Sequence, residues 1–392
     1  MKSTHRKWGR EMTRGTKILV VYTAVIPTTT LVMEMMQRLV GITDGKLHSK
    51  KSVRVSKADI SWADIILFVR GMDPYMEKIG KSAHEAGRYC IMYLDDDLLN
   101  VPSGGIDIYQ NALKGCLYWC DLLWSSNPNI LSKYSQFMRV PKCVEEKVFE
   151  AIDHMVPFNE DTERIKIVYA GSPSHAINLQ QYIVPALNNL YKKYENIDVT
   201  FIGLQKDNLK SVLFEAEYVP WFYDLEKYKN FIAQNRYHIG LAVVEDSEFY
   251  RCKYYNKFLE YCKMGVLGIY SDCQPYQFIV KDHENGLLSR NSPKEWEKNI
   301  EEAITDHELR KKCVENAQEL LQRGFNMDTV LHQFIEKVPE CAEFRADESY
   351  EVHYIQYKRW KAIAKRIYGK IFGKCCLIVH YMYKFTIGRI RK

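Results

Sequence analysis

Lys253, Lys257 and Glu260 fall at i, i+4 and i+7 within the run Phe249–Gly265, a spacing that a helix stacks on one face. Two ammonium groups and a carboxylate converging on one site suit a sugar nucleotide. The cations can hold a diphosphate, and the carboxylate can accept two hydrogen bonds from a ribose diol. The same spacing describes a solvated helix face with charge pairs, so the surrounding sequence has to separate the two.

A second group lies some 80 residues earlier. Ile167-Val-Tyr-Ala-Gly171-Ser172-Pro173-Ser174-His175 reads as a strand running through a turn into a helix. Free backbone N–H groups at such a helix start, beside its dipole, can receive a phosphate or a sugar hydroxyl. Ser174 also suits a plain N-cap there. In the first half, Arg70 ends one apolar run and Asp95-Asp96-Asp97 ends another. Adjacent carboxylates after a strand suit a divalent ion carrying a nucleotide. The diphosphate signature, however, lies in the other half, so no metal is expected here. Asp95-Asp96-Asp97 suit either an acceptor contact or a loop with an N-cap aspartate, and Arg70 either an acceptor phosphate or a structural ion pair.

The elements that must position these groups alternate along the chain. Apolar runs at 17–22, 64–69, 89–94 and 122–125 are separated by helical patterns at 30–39 and 74–86. Runs at 166–169, 198–202, 238–243 and 266–270 repeat the pattern, with a helix over 176–191 and a long one over 296–321. Strand–helix alternation of this kind predicts parallel sheets covered by helices, hence α/β domains. The expected division is a basic leader at 1–16, a first Rossmann-like domain at 17–150, a second at 151–340, and a tail at 341–392. The polar stretch 141–162 serves as the linker.

With these motifs in order, the chain resembles the GT-B glycosyltransferases of the family-four, glycogen-synthase-like type, in a bacterial polysaccharide-assembly branch. The resemblance rests on Gly171–His175, then Glu245-Asp246, Phe249, Lys253, Lys257, Glu260-Tyr261, Gly265, Ser271, Tyr276 and Glu284-Asn285-Gly286-Leu287-Leu288. Ala63–Arg70 and Tyr93–Leu99, with Pro102, look like that family's acceptor domain. The likeness spans about residues 17–338 and implies two Rossmann-like domains facing across a cleft. It also implies retaining transfer of a sugar from a nucleoside-diphosphate sugar without a metal. It assigns the donor to Gly171, Ser172, His175, Lys253, Lys257 and Glu260, and the acceptor side to Arg70, Asp95, Asp96 and Asp97. Glu260 matches the second glutamate of the family's E-x7-E pattern. Where the first would stand this chain has Cys252, and Asp246 or Glu245 is the expected substitute. No protein nucleophile or base is identified; Asp246, Lys253 and Lys257 are the catalytic candidates.

Charge and cysteine usage narrow the setting. The net charge of +6 is uneven: residues 358–392 hold 11 Lys and Arg and no acidic residue, leaving the rest mildly acidic. That distribution argues against a nucleic-acid binder, which would carry its basic face within folded domains. The tail places Trp360, Ile363, Ile367 and Ile371 on one helical face among lysines, a pattern suited to an anionic membrane surface. Eleven scattered cysteines without a C-x-x-C pair suit a reduced compartment. No apolar run approaches the roughly 20 residues of a membrane-spanning helix. The expected protein is cytoplasmic, peripheral at the inner face of the membrane, and acts on a lipid-linked or polysaccharide acceptor. The competing expectation is a non-catalytic sugar-nucleotide or glycan-binding scaffold on that membrane.

Overall fold

The computed structural model describes residues 14–100, 107–150, 152, 155–173 and 176–354. Two six-stranded sheets, parallel throughout, organise the chain. The first comprises β1 (Lys17–Tyr22), β2 (Lys46–Lys51), β3 (Ile65–Val69), β4 (Tyr89–Tyr93), β5 (Leu122–Ser125) and β6 (Cys143–Glu145), in spatial order β2-β1-β3-β4-β5-β6. The second comprises β7 (Ile165–Ala170), β8 (Ile197–Ile202), β9 (Ala216–Val219), β10 (Ile239–Ala242), β11 (Leu267–Ser271) and β12 (Leu287–Ser289), in order β12-β11-β10-β7-β8-β9. Read from β9, the second order is the doubly wound Rossmann arrangement, whose direction reverses between β7 and β10. The expected α/β architecture of two Rossmann-like domains is what forms.

Alternation along each strand explains why both faces carry helices. Ile66 and Phe68 face one apolar layer with the helices Pro74–Glu85 and Asp107–Trp119. Ile65, Leu67 and Val69 face another, against the helices Pro27–Ile42 and Met327–Lys337. In the second sheet Ile167 and Tyr169 meet the helices Val184–Lys193 and Pro293–Thr305. On its other face Val168 and Ala170 share a layer with Phe258 and Leu259 of the helix Asn256–Lys263 and Leu321 of the helix His307–Gly324.

Three details differ from the sequence reading. The expected long helix over 296–321 is two helices that break at Asp306, whose carboxylate accepts from the Leu309 N–H at 2.8 Å and caps the second. From Met327 onward the chain crosses back: Val330, Phe334, Val338 and Cys341 lie in the first sheet's core. The packing boundary therefore precedes 327 rather than following 340. Thirdly, Lys253 stands outside the helix, which begins only at Asn256. The basic leader up to residue 13 and the basic stretch 358–392 lie outside the described residues.

Candidate functional site

The point where the second sheet reverses is where an open α/β sheet takes its ligand, beyond the carboxyl ends of the strands. A cavity of about 280 Å³ lies there, lined among others by Gly171, Ser172, Val244, Lys253, Lys257 and Tyr276. Gly171 directly follows β7 and gives its N–H to the Ile202 carbonyl at 3.0 Å. A Cβ at this position would stand 2.3 Å from the Tyr169 hydroxyl, so a side chain here would have to displace that ring. Val244, leaving β10, is fixed from both sides. Its N–H donates to Ser271 Oγ at 2.9 Å, and its carbonyl accepts from Asn291 Nδ2 at 2.7 Å.

The helix Asn256–Lys263 is anchored by the buried Tyr261, whose hydroxyl donates to the Leu241 carbonyl at 2.8 Å. That anchor turns Lys257 towards the cavity and sets Glu260 beside it. Lys257 Nζ reaches Glu260 Oε2 at 2.6 Å, and the Tyr228 hydroxyl donates to the other carboxylate oxygen. Burial, reinforced by the Glu260 charge, pushes the Tyr228 phenol far up, so it stays a donor to that carboxylate at neutral pH. Lys253 comes from the loop before the helix. It is held over the Phe249 ring at 4.2 Å and bridges to the first domain, meeting Asp96 Oδ1 and Oδ2 at 2.8 and 3.0 Å. The two lysines thus line one cavity without sharing a helical face.

The three aspartates diverge. Asp95 accepts from Arg70 Nε and Thr28 Oγ1, both at 2.5 Å. Arg70 sits at φ 53°, a left-handed backbone that is unusual for arginine and concentrates at constrained sites. Asp96 takes Lys253. Asp97 is wholly buried and accepts from Lys133, Tyr134 and Asn100 at 2.9, 2.7 and 2.9 Å. Arg70, Asp95 and Asp96 therefore gather at the carboxyl ends of β3 and β4, opposite the cavity, while Asp97 ties elements together beneath them. Among the described residues no group of three or more His, Cys, Asp or Glu side chains is placed to hold a metal ion.

Asp246 stands away from this centre. It is half exposed and clasped by Arg251 at 2.6 and 2.8 Å, and that hydrogen bonding holds its carboxyl below the usual range. Cys252 is 2% exposed and packs in the first domain's core. Burial pushes its thiol up to about 11. His175 lies outside the described residues. Trp221, half exposed, borders the cavity on the β9 side. Asn285 braces the turn before β12, accepting from the Lys281 N–H at 2.7 Å and donating to the Ile279 carbonyl at 3.1 Å.

The sequence reading missed Asn127, Asn129 and Lys133, which the fold sets against the short helix Glu248–Arg251 that leads to Lys253. An Asn-Pro step after an apolar run marks a helix N-cap, but nothing local says that the cap also faces another domain.

Comparison with known structures decides the architecture. HepE of Anabaena, solved with UDP, superposes with a TM-score of 0.58 at 11% identity, over 83% of this chain and 100% of that one. The fold is GT-B. Sucrose-phosphate synthase from Thermosynechococcus elongatus gives 0.58 at 10% identity, over 83% and 98%. A Listeria monocytogenes protein assigned as a UDP-N-acetylglucosamine 2-epimerase gives 0.54 at 10%, over 85% and 98%. At these identities the likeness is one of fold, and GT-B scaffolds carry more than one chemistry. Residues 257–320 match the family described as glycosyl transferases group 1. That segment opens at Lys257 and takes in Glu260 and the helices behind it. No curated protein matches the chain in sequence.

Proposed function

We propose that this GT-B protein is a glycosyltransferase that moves a sugar from a nucleoside-diphosphate sugar to a glycan acceptor, with retention of anomeric configuration. The observation that carries the reading is the pair Lys253 and Lys257 on one cavity at the sheet's reversal point, with Glu260 beside Lys257. HepE was solved with UDP and with UDP-glucose, which supports a nucleotide sugar as the donor class.

In this reading the donor's anomeric C–O bond breaks and its electron pair goes to the departing phosphate oxygen. The acceptor hydroxyl bonds to the anomeric carbon, and its proton passes to that phosphate. Lys253 and Lys257 stabilise the developing charge in place of a divalent ion, on the order of 3 kcal/mol for a well-placed donor in a water-poor site. Gly171 and Ser172 give the donor close access to backbone, Glu260 holds the ribose, and Arg70, Asp95 and Asp96 meet the acceptor. The acceptor is lipid-linked or polysaccharide, in capsule, exopolysaccharide or cell-wall glycan synthesis, and residues 358–392 hold the protein at an anionic membrane. Among the described residues no helix is long and apolar enough to cross a membrane.

The second reading, a sugar-nucleotide binder without turnover, draws on one observation. Cys252 occupies the first-glutamate position and is buried away from the cavity. One experiment separates the two. Thermal shift with UDP-, GDP-, dTDP- and CMP-sugars, each with and without chelator, is followed by release of nucleoside diphosphate on adding glycan acceptor. A ligand at about 100 times its dissociation constant stabilises by roughly 2.7 kcal/mol. A chelator-resistant shift with turnover supports the transferase; a shift without turnover, across acceptors, supports the binder; no shift in folded protein removes both.

A further inference from the structure

The loop that delivers Lys253 to the cavity belongs to the second domain in sequence, yet its backbone is held by the first. Asn127 lies two residues beyond the end of β5 and is 2% exposed. Its Nδ2 donates to the carbonyls of Arg251 at 2.9 Å and Lys253 at 2.8 Å, while its Oδ1 accepts from the Asn129 N–H at 2.8 Å. Reversing the amide would turn its oxygen against two carbonyls and its nitrogen against an N–H, so the orientation is settled by the partners. Asn129 Nδ2 adds a second bond to the Arg251 carbonyl at 2.8 Å. Around this clamp Lys133 spans Glu248 and Asp97 at 2.5 and 2.9 Å, and Cys252 plugs the first domain's core.

We infer that Asn127 is a positioning residue for donor binding: it fixes the backbone of Lys253 across the cleft, so that the diphosphate site is complete only when the first domain is docked. The inference rests on the donor-site reading above. Its physical content is that both amide hydrogens of one buried side chain are spent on the loop, two bonds from another domain flanking Cys252. A cation held this way keeps its geometry without ordering cost when the ligand arrives.

The cap and the clamp use different atoms of Asn127, and this makes the idea testable. Asn127→Asp keeps an oxygen to cap the helix Pro128–Tyr134 but replaces the double donor with an acceptor facing two carbonyls. A capping role alone leaves this variant like wild type. A positioning role weakens nucleotide binding by about tenfold or more, since small displacements of a charged group are costly. The experiment measures UDP, GDP and dTDP binding to the full chain by calorimetry, together with amide exchange over residues 247–255. The expected result is weaker binding of whichever nucleotide the wild type takes, and faster exchange in that segment. Affinity within about twofold of wild type overturns the positioning role and leaves the donor site standing. A wild type that binds none of the three overturns the donor site itself and this inference with it. Should Asn127→Asp not fold, Asn129→Ala carries the test. That variant removes the bond to the Arg251 carbonyl and a second one to Gln274 Oε1 at 2.8 Å; a threefold or greater weakening supports the clamp, and an unchanged affinity overturns it.

Discussion

Lys257 and Glu260 are one i,i+3 pair at 2.6 Å, and the two ends of the pair should fail differently. On the proposed donor site, Lys257→Ala would remove a charged hydrogen bond to the diphosphate, so nucleoside diphosphate binding should weaken by about 10- to 100-fold, the equivalent of 1.5–3 kcal/mol. Glu260→Ala should instead erase the preference for ribose, so that UDP and 2′-deoxy-UDP bind alike; a retained preference would place the ribose elsewhere. Cys252 carries a contrary expectation. Restoring a glutamate there would bury an unpaired carboxylate in the first domain's core rather than complete the site. Cys252→Glu should therefore cost about 3 kcal/mol or more in denaturant unfolding, with no gain in turnover. A stable, faster variant would mean that this loop can turn towards the cavity.

At the scale of elements, the turns after β8 and before the helix His307–Gly324 are sensitive for different local reasons. Gly203 follows β8 at φ +86°, and a Cβ there would stand 2.5 Å from the Gly171 carbonyl oxygen and 2.7 Å from the Trp221 ring. Gly203→Ala thus meets both an unfavourable backbone and the cavity floor, and should destabilise by about 1–3 kcal/mol while loosening nucleotide binding. Asp306 caps a helix with a single carboxylate bond, so Asp306→Ala should cost about 1 kcal/mol and leave nucleotide affinity alone. Thermal melts with and without nucleotide distinguish the two kinds of loss. The elements themselves were largely legible. β1 and β5 form over the expected residues, because Ile18–Val21 and Leu122–Trp124 are continuous apolar runs. β2 was not, because Lys-Leu-His-Ser-Lys-Lys is an exposed edge strand with almost no apolar signal. Its backbone pairs with β1 regardless of side-chain type.

At the scale of the molecule, the chain returns to where it began. Asp64, 1% exposed, accepts from Arg14 at 2.6 and 2.9 Å, from the Lys17 N–H at 2.9 Å and from the Ala346 N–H at 3.0 Å. Burial alone would raise its carboxyl, but Arg14 and the two N–H groups outweigh it and hold it below the usual range. Its stabilisation is present above the ordinary aspartate range and is lost as pH falls through the lower folded value. His238 acts with the same sign in a higher window. Burial holds the imidazole below its ordinary value, and its Nδ1 accepts from the Lys166 N–H at 2.9 Å. The neutral ring stabilises the fold above about pH 6.5, and that contribution is lost as pH falls through the depressed folded value. Stability measured by denaturant should therefore decline in two stages below neutrality, and His238→Asn should remove the upper one. A profile unchanged by that substitution would show that His238 does not titrate with unfolding.

By itself the sequence determined the strand–helix alternation, the two Rossmann-like sheets and the region that lines the cavity, because these follow from local periodicity and from turn residues within a few positions of each other. It did not determine the direction of Lys253, the separate tasks of Asp95, Asp96 and Asp97, or the burial of Cys252. Each of those depends on a partner far along the chain: Lys253 on Asp96, Asp97 on Lys133 and Tyr134, Cys252 on the first domain's core. Charge spacing reports which groups can act together on a helix, but a helix that begins three residues later hands one of them to the opposite domain. Only the meeting of the two domains places that choice, since the energies that decide it arise between residues more than 100 positions apart.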